Sequence, residues 1–258
     1  MTYLFISTAF GQEIRTKNNG NLILEDIPSI PQSIKDDLAK FQNVRSASFR
    51  GFHNANEGLY ISTRFANVSQ LHFVQEPGSA RNQITYFQEP IGSVSVHPTD
   101  QSIVFTMDQG GTENAQIFLL DPTNASAKLL SDGESRNGGP LWSGDGSQIA
   151  FQSTKRNGRS NDIWIMNVNN PEENQIVLES PDGTWWGASD WTEDNKKILV
   201  QNYISITNSK IYLVDVDTKN KQLILGQGEK PSANSALAFD KDDEGIFYIT
   251  DKYGQYSQ

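Results

Sequence analysis

Several groups of residues in this sequence have the types and spacing that chemistry requires. Asp240, Asp242, Glu244, Gly245 and Asp251 fall at positions 1, 3, 5, 6 and 12 of a calcium-binding loop, with Phe247 at the apolar eighth. Oxygen ligands at that spacing suit a hard cation. Position 12 is Asp, however, where the loop needs a bidentate Glu, and no helical pattern flanks the stretch. It reads as a solvated turn. A serine nucleophile needs Gly-x-Ser-x-Gly on a strand-to-helix turn beside an oxyanion hole. Gly133-Glu134-Ser135-Arg136-Asn137 lacks the closing glycine, and Gly144-Asp145-Gly146-Ser147 reads as a hairpin. No catalytic residue is assigned. His53, His72 and His97 are the only imidazoles; they lie far apart, and the chain has no cysteine. Neither a metal site nor a cofactor is expected from such a set.

Charge narrows the partners. The 258 residues carry a formal charge of −10, which removes the Lys/Arg excess that nucleic-acid binding needs and disfavours docking on an anionic membrane. Neither nucleic acid nor membrane is an expected partner.

The elements that must position any site repeat along the chain. The unit Leu141-Trp142-Ser143-Gly144-Asp145-Gly146-Ser147-Gln148-Ile149-Ala150-Phe151 returns as Asp190-Trp191-Thr192-Glu193-Asp194-Asn195-Lys196-Lys197-Ile198-Leu199-Val200. Related copies surround Val96-His97-Pro98, Phe239-Asp240-Lys241 and, more weakly, Phe49. The anchors at 49, 96, 142, 191 and 239 are spaced by 47, 46, 49 and 48 residues. Each copy continues into a third apolar run, such as Asp162-Ile163-Trp164-Ile165-Met166, and a shorter fourth, such as Gln175-Ile176-Val177-Leu178. Asp-Gly and Asn-rich joints between the runs are hairpin chemistry, because these residues tolerate positive φ. Four short strands in each unit of 46 to 49 residues predict an all-β fold, a β-propeller of four-stranded blades. Four blades are complete and a fifth is partial. Large anchors such as Trp142, Trp164, Trp191 and Phe239 are expected between neighbouring blades.

Before the repeats, residues 12–43 form a lead-in to the propeller region, 44–258. Ile34, Leu38 and Phe41 recur at helical spacing, predicting one short amphipathic helix over 31–41. Leu22-Ile23-Leu24 suits an edge strand. Residues 1–11 read as the tail of a signal peptide: the apolar run Leu4 to Phe10 ends in small residues at Ala9 and Gly11. That reading implies a periplasmic or secreted location. An N-terminal strand is the competing reading.

Candidate contact residues follow from the predicted blades. Trp185 and Trp186 stand where an inner strand enters from the channel mouth, so an exposed indole there could hold a peptide. Packing between blades is the competing reading for both. Arg156, with Lys155 and Arg159, forms a small basic cluster on a loop, a solvated set that could also bind a carboxylate.

Trp142-Ser143-Gly144-Asp145-Gly146, followed by Ile149-Ala150-Phe151, resembles the blade turn and strand of TolB-type propellers, with Gly144 in place of their proline. A wider set resembles the N-terminal propeller of prolyl-oligopeptidase-family serine peptidases: Ile27-Pro28-Ser29-Ile30-Pro31, Tyr60-Ile61-Ser62-Thr63-Arg64, Ser131-Asp132-Gly133 with Arg136-Asn137-Gly138, and Asn157-Gly158-Arg159 with Asn161-Asp162-Ile163-Trp164. This second resemblance covers residues 20 to 258. It implies a non-catalytic propeller that caps a C-terminal α/β-hydrolase domain, absent from this sequence, and restricts entry to short peptide substrates. It also implies more blades than are visible, so the chain is expected to be a fragment or truncated product. The alternative is a free-standing TolB-like periplasmic scaffold that binds another protein. A propeller lyase or glycosidase is the weakest option, because no carboxylate pair recurs at equivalent blade positions.

Overall fold

Every repeat becomes one antiparallel sheet. The computed structural model describes residues 13–54, 57–181, 183–228, 230–254 and 256–258; the leader remnant expected over 1–11 lies outside them. A hairpin of β1 (Ile14–Lys17) and β2 (Leu22–Glu25) precedes α1 (Gln32–Gln42). Leu22-Ile23-Leu24 therefore pairs with its own neighbour and belongs to a separate two-stranded sheet. The helix forms as its periodicity requires, yet none of its residues is buried, and Ile34, Leu38 and Phe41 face water.

Blade 1 comprises β3 (Ala47–Phe52), β4 (Leu59–Thr63), β5 (Gln70–Val74) and β6 (Asn82–Gln83). Blade 2 comprises β7 (Ile91–Val96), β8 (Ile103–Met107), β9 (Gln116–Asp121) and β10 (Ser126–Leu129). Blade 3 comprises β11 (Asn137–Trp142), β12 (Gln148–Ser153), β13 (Asp162–Asn167) and β14 (Asn174–Leu178). Blade 4 comprises β15 (Trp185–Trp191), β16 (Lys197–Ser205), β17 (Asn208–Asp215) and β18 (Lys221–Leu225). Blade 5 has β19 (Asn234–Phe239) and β20 (Ile246–Thr250). The strands follow chain order within each sheet, and the first strands of successive blades pack side by side.

Period-two alternation explains why the cores lie between blades. In β12, Ile149 and Phe151 point to blade 2 and join Val104, Ile117 and Trp142, whereas Ala150 points to blade 4 and joins Trp191, Ile198 and Val200. In β8, Ile103, Phe105 and Met107 meet Tyr60 and Leu71 of blade 1, and Val104 faces the other way. Both faces of the middle strands are covered, which is why they read as continuous apolar runs. Polar contacts reinforce the seams. The indole N–H of Trp142 donates to Ser95 O of blade 2 at 3.1 Å, and that of Trp191 to Leu141 O of blade 3 at 3.3 Å.

A second polar device recurs at the first residue of the third strand. Gln70, Gln116 and Asp162 hold the same register, opposite Thr63, Met107 and Ser153. Each grips the connection to the next blade. Gln70 Oε1 accepts from Phe87 N, Gln116 Oε1 from Gly133 N, and Asp162 Oδ1 from Ser180 N, at 2.8 to 3.0 Å. In blade 4, where β17 starts two residues earlier, the residue in the same register is Lys210, opposite Asn202, and Ser209 bonds Asn234 instead, its Oγ donating to Asn234 O at 2.6 Å. Gln258 takes the corresponding place in blade 5, its backbone pairing with Thr250 in both directions. The calcium-like pattern is split by this topology. Asp240 to Gly245 form the β19–β20 turn, with Asp240 Oδ1 accepting from Glu244 N. Asp251 lies beyond the far end of β20, about 17 Å along at about 3.4 Å per residue.

Candidate functional site

The strongest cluster of exposed, recognition-type side chains lies where β15 begins, at the mouth of the inner strands. Here β16 and β17 run further than their counterparts in blade 3, nine and eight residues against six and six. The hairpin therefore projects and carries Tyr203, Ile204 and Ile206 into solvent. Trp185 and Tyr203 are directly opposed across β15 and β16, so both rings stand on one face of the pair. Trp185 is 43% exposed and Trp186 only 2%.

Gly187 shapes this platform. The Trp185 ring lies over it: a Cβ added at Gly187 would stand 2.3 Å from the ring's Cη2 and 2.7 Å from Gln152 Nε2. Any side chain there would lift the indole off the strand. Gln152, on β12 of blade 3, also lines the approach beside Gly138 and Gly139. Its amide makes no hydrogen bond among the described residues, leaving a donor and an acceptor for a ligand's backbone. The site thus combines an aromatic face, a polar amide and glycine backbone that permits close approach.

The three candidate residues from the sequence do not form one surface. Trp186 is packed in the seam between blades 3 and 4, tilted on Tyr212 at 5.1 Å with Lys221 Nζ 5.0 Å above its ring. Its burial removes it as a direct contact. Arg156 keeps part of its surface exposed but is engaged in an ion pair. Its Nε and Nη2 bond Asp162 Oδ2 and Oδ1 at 2.6 and 2.9 Å, and Glu179 lies 3.7 Å from Nη1. The hydrogen bonds it donates to the Asp162 carboxylate hold the guanidinium pKa above its ordinary value. The physical reason lies in the repeated grip described above. Blades 1 and 2 fill that buried position with neutral Gln, but blade 3 uses a carboxylate with no exposed surface, and a buried charge requires a partner. Of the two indoles only Trp185 is exposed, and Arg156 is exposed with its guanidinium already paired to Asp162. Tyr203, Gln152 and Gly187 were not picked out by sequence reasoning; the alternating run Tyr203-Ile204-Ser205-Ile206, continuing past the blade's normal strand length, was the signal.

No family model and no curated protein matches the chain. Solved structures do match. The chain is similar to a prolyl endopeptidase from a study of interdomain dynamics in two such enzymes, at TM-score 0.64 and 12% identity over 96% of this chain and 43% of that one. It is similar to prolyl oligopeptidase B from Galerina marginata, at TM-score 0.61 and 12% identity over the same shares. TolB from Acinetobacter baumannii matches at TM-score 0.59 and 15% identity, over 94% of this chain and 60% of that one. The chain spans less than two thirds of the length of each. At these identities the shared property is the fold: a propeller of the kind found in prolyl oligopeptidases and TolB.

Proposed function

We propose that this chain is the non-catalytic propeller region of a prolyl-oligopeptidase-like serine peptidase, capping an α/β-hydrolase domain and restricting access to short peptides. The observation that carries this reading is the alignment of 96% of the chain with two such peptidases, at higher TM-scores than the TolB match. The mouth at Trp185 supports it. A flat indole gives large contact area at small entropy cost, and the Gln152 amide beside it can bond a peptide's main chain. A periplasmic or secreted location goes with the same reading. The test is titration of the folded chain with short proline-containing peptides, followed by tryptophan fluorescence. Saturable binding that Trp185→Ala abolishes supports the proposal. Absence of binding, or binding unchanged in Trp185→Ala, refutes this assignment of the mouth. The TolB match over 94% of this chain favours a second reading, a scaffold that binds a folded protein. That scaffold would leave short peptides unbound.

A further inference from the structure

Blade 1 is charged differently from the rest of the chain. Residues 44–90 contain Arg45, Arg50, Arg64 and Arg81 against Glu57, Glu76 and Glu89, a net charge of +1 in a chain of −10. Two of these arginines converge where β4 ends. Arg45 Nη1 donates to Arg64 O and Phe65 O at 3.0 and 2.7 Å, and Arg64 Nη2 donates to Gln42 O. The exchange ties the chain leaving α1 to the connection between β4 and β5. It uses only part of each guanidinium, and among the described residues neither arginine makes an ion pair. Both stay open to water, Arg45 exposed and Arg64 half-buried. Neighbouring cations without a counter-charge repel each other, a cost that a bound anion removes.

Two hollows meet beside these arginines. The first, of 170 Å³, is walled by Phe65, Val68, Gln83, Tyr86 and Phe87. Its walls are held in place: the Arg45 guanidinium covers the Phe65 ring at 5.4 Å, Phe87 stacks on Phe105 of blade 2 at 5.4 Å, and the Tyr86 hydroxyl donates to Gln83 O at 3.0 Å. Phe65 and Tyr86 are 48% and 70% exposed, so the hollow opens to solvent. Its volume is close to the roughly 150 Å³ of an engineered apolar cavity that binds benzene. The second hollow is shallow and polar, lined by Val44, Ser46, Arg64, Asn67 and Val68. The Asn67 amide makes no hydrogen bond among the described residues, leaving a donor and an acceptor. Val68 lines both hollows, so a single side chain separates them. A ring-sized apolar space, a cation with spare donors and a free amide at this spacing match one residue that carries an apolar side chain, a carboxylate and a peptide group.

We infer that blade 1 binds the C-terminal residue of a peptide ending in Phe or a similar apolar residue. The side chain enters between Phe65, Tyr86 and Phe87, the terminal carboxylate accepts from Arg64, and the last peptide group bonds the Asn67 amide. The site shares no residue with the mouth at Trp185 and does not rest on the peptidase reading.

Calorimetric titration of the full chain with N-acetyl-Gly-Phe and with its C-terminal amide tests this, because only the first carries the charge that Arg64 would meet. The acid should bind at least about tenfold more tightly, the share of one charge-assisted hydrogen bond, and the excess should shrink as salt is raised. Arg64→Gln keeps a donor for Gln42 O and should fold; in it the acid should lose its advantage while the amide binds as before. Arg64→Lys should restore part of that advantage. Tyr86→Ala, at an exposed ring, should weaken acid and amide together. 3-Phenylpropanoate has the ring and carboxylate without the peptide group and should bind more weakly than N-acetyl-Gly-Phe, a difference that Asn67→Ala should remove. Trp185→Ala should leave every affinity unchanged; loss of binding there would place the peptide at the mouth and overturn the inference. Equal binding of acid and amide, binding of neither, an advantage that survives Arg64→Gln, or 3-phenylpropanoate binding as tightly as the peptide would each overturn it as well.

Discussion

Two glycines offer a controlled measurement of how tightly the blades are coupled. Gly146 and Gly158 share a backbone φ of +72°, so alanine at either must adopt the left-handed region, at about 1–2 kcal/mol. Their surroundings differ. A Cβ at Gly158 meets nothing within 4 Å, whereas at Gly146 it would stand 2.1 Å from His97 Nε2 and 2.3 Å from Cε1, both in blade 2. That ring cannot swing aside cheaply. Its Nδ1 accepts from Thr99 N and Asp100 N at 3.2 and 3.0 Å, and its edge packs on Trp142 at 4.6 Å. Since Nδ1 accepts, Nε2 is the protonated nitrogen and donates to Gly146 O at 3.1 Å. Gly146→Ala should therefore add overpacking of about 1–3 kcal/mol and loss of a hydrogen bond of about 0.5–1.5 kcal/mol. Gly146→Ala is expected to be less stable than Gly158→Ala by about 1.5–4.5 kcal/mol, summing these two terms. Urea unfolding, followed by tryptophan fluorescence and circular dichroism with the slope held to wild type, reads this difference. Equal destabilisation within about 0.5 kcal/mol, the scale of a surface substitution, would refute the seam between blades 2 and 3 as drawn.

Other expectations follow from the same geometry. Trp186→Ala should cost about 3–5 kcal/mol in denaturant unfolding, while Trp185→Ala, on an exposed ring, should cost about 1 kcal/mol or less. Asp145, Asp194 and Asp215 have pKa values held below the ordinary carboxylate range, chiefly by backbone N–H donors of Ser147, Lys196 and Thr218, and Asp121 by the Thr123 hydroxyl. Because the folded values are depressed, their stabilisation is complete above the unfolded carboxylate pKa of about 4 and is lost as pH falls through the folded values. Melting temperature should thus drop as pH is lowered below about 4, with a shallower slope in Asp145→Asn. Phe247 in blade 5 is 61% exposed, and Phe49 and Phe52 in blade 1 face solvent as well. Light scattering should show concentration-dependent association that Phe247→Lys reduces, since exposed apolar patches promote it. A fluorophosphonate probe should label no serine of the folded chain, because among the described residues no serine has a recognisable base and oxyanion hole.

The repeat, its period and the seam positions of Trp142, Trp164 and Trp191 were legible in the sequence because they follow from local rules, whereas the expected anchor Phe239 is only half-buried. Asp-Gly turns fix hairpins, two-residue alternation fixes which side chains point to which neighbour, and a Trp at 142 and 191 has only the inter-blade space to occupy. The helix was legible from Ile34, Leu38 and Phe41, but its lack of any buried residue was not, since spacing cannot say whether a partner surface is near. The candidate site depended on contacts across blades. Trp185 and Trp186 are adjacent and identical, and strand alternation sends them to opposite sides; which side is covered depends on blade 3, about 30 residues earlier, and on Gly187 leaving room for the ring. Arg156 belonged to a basic cluster in sequence, and only the fold shows that Asp162 occupies a buried position filled by Gln in two other blades.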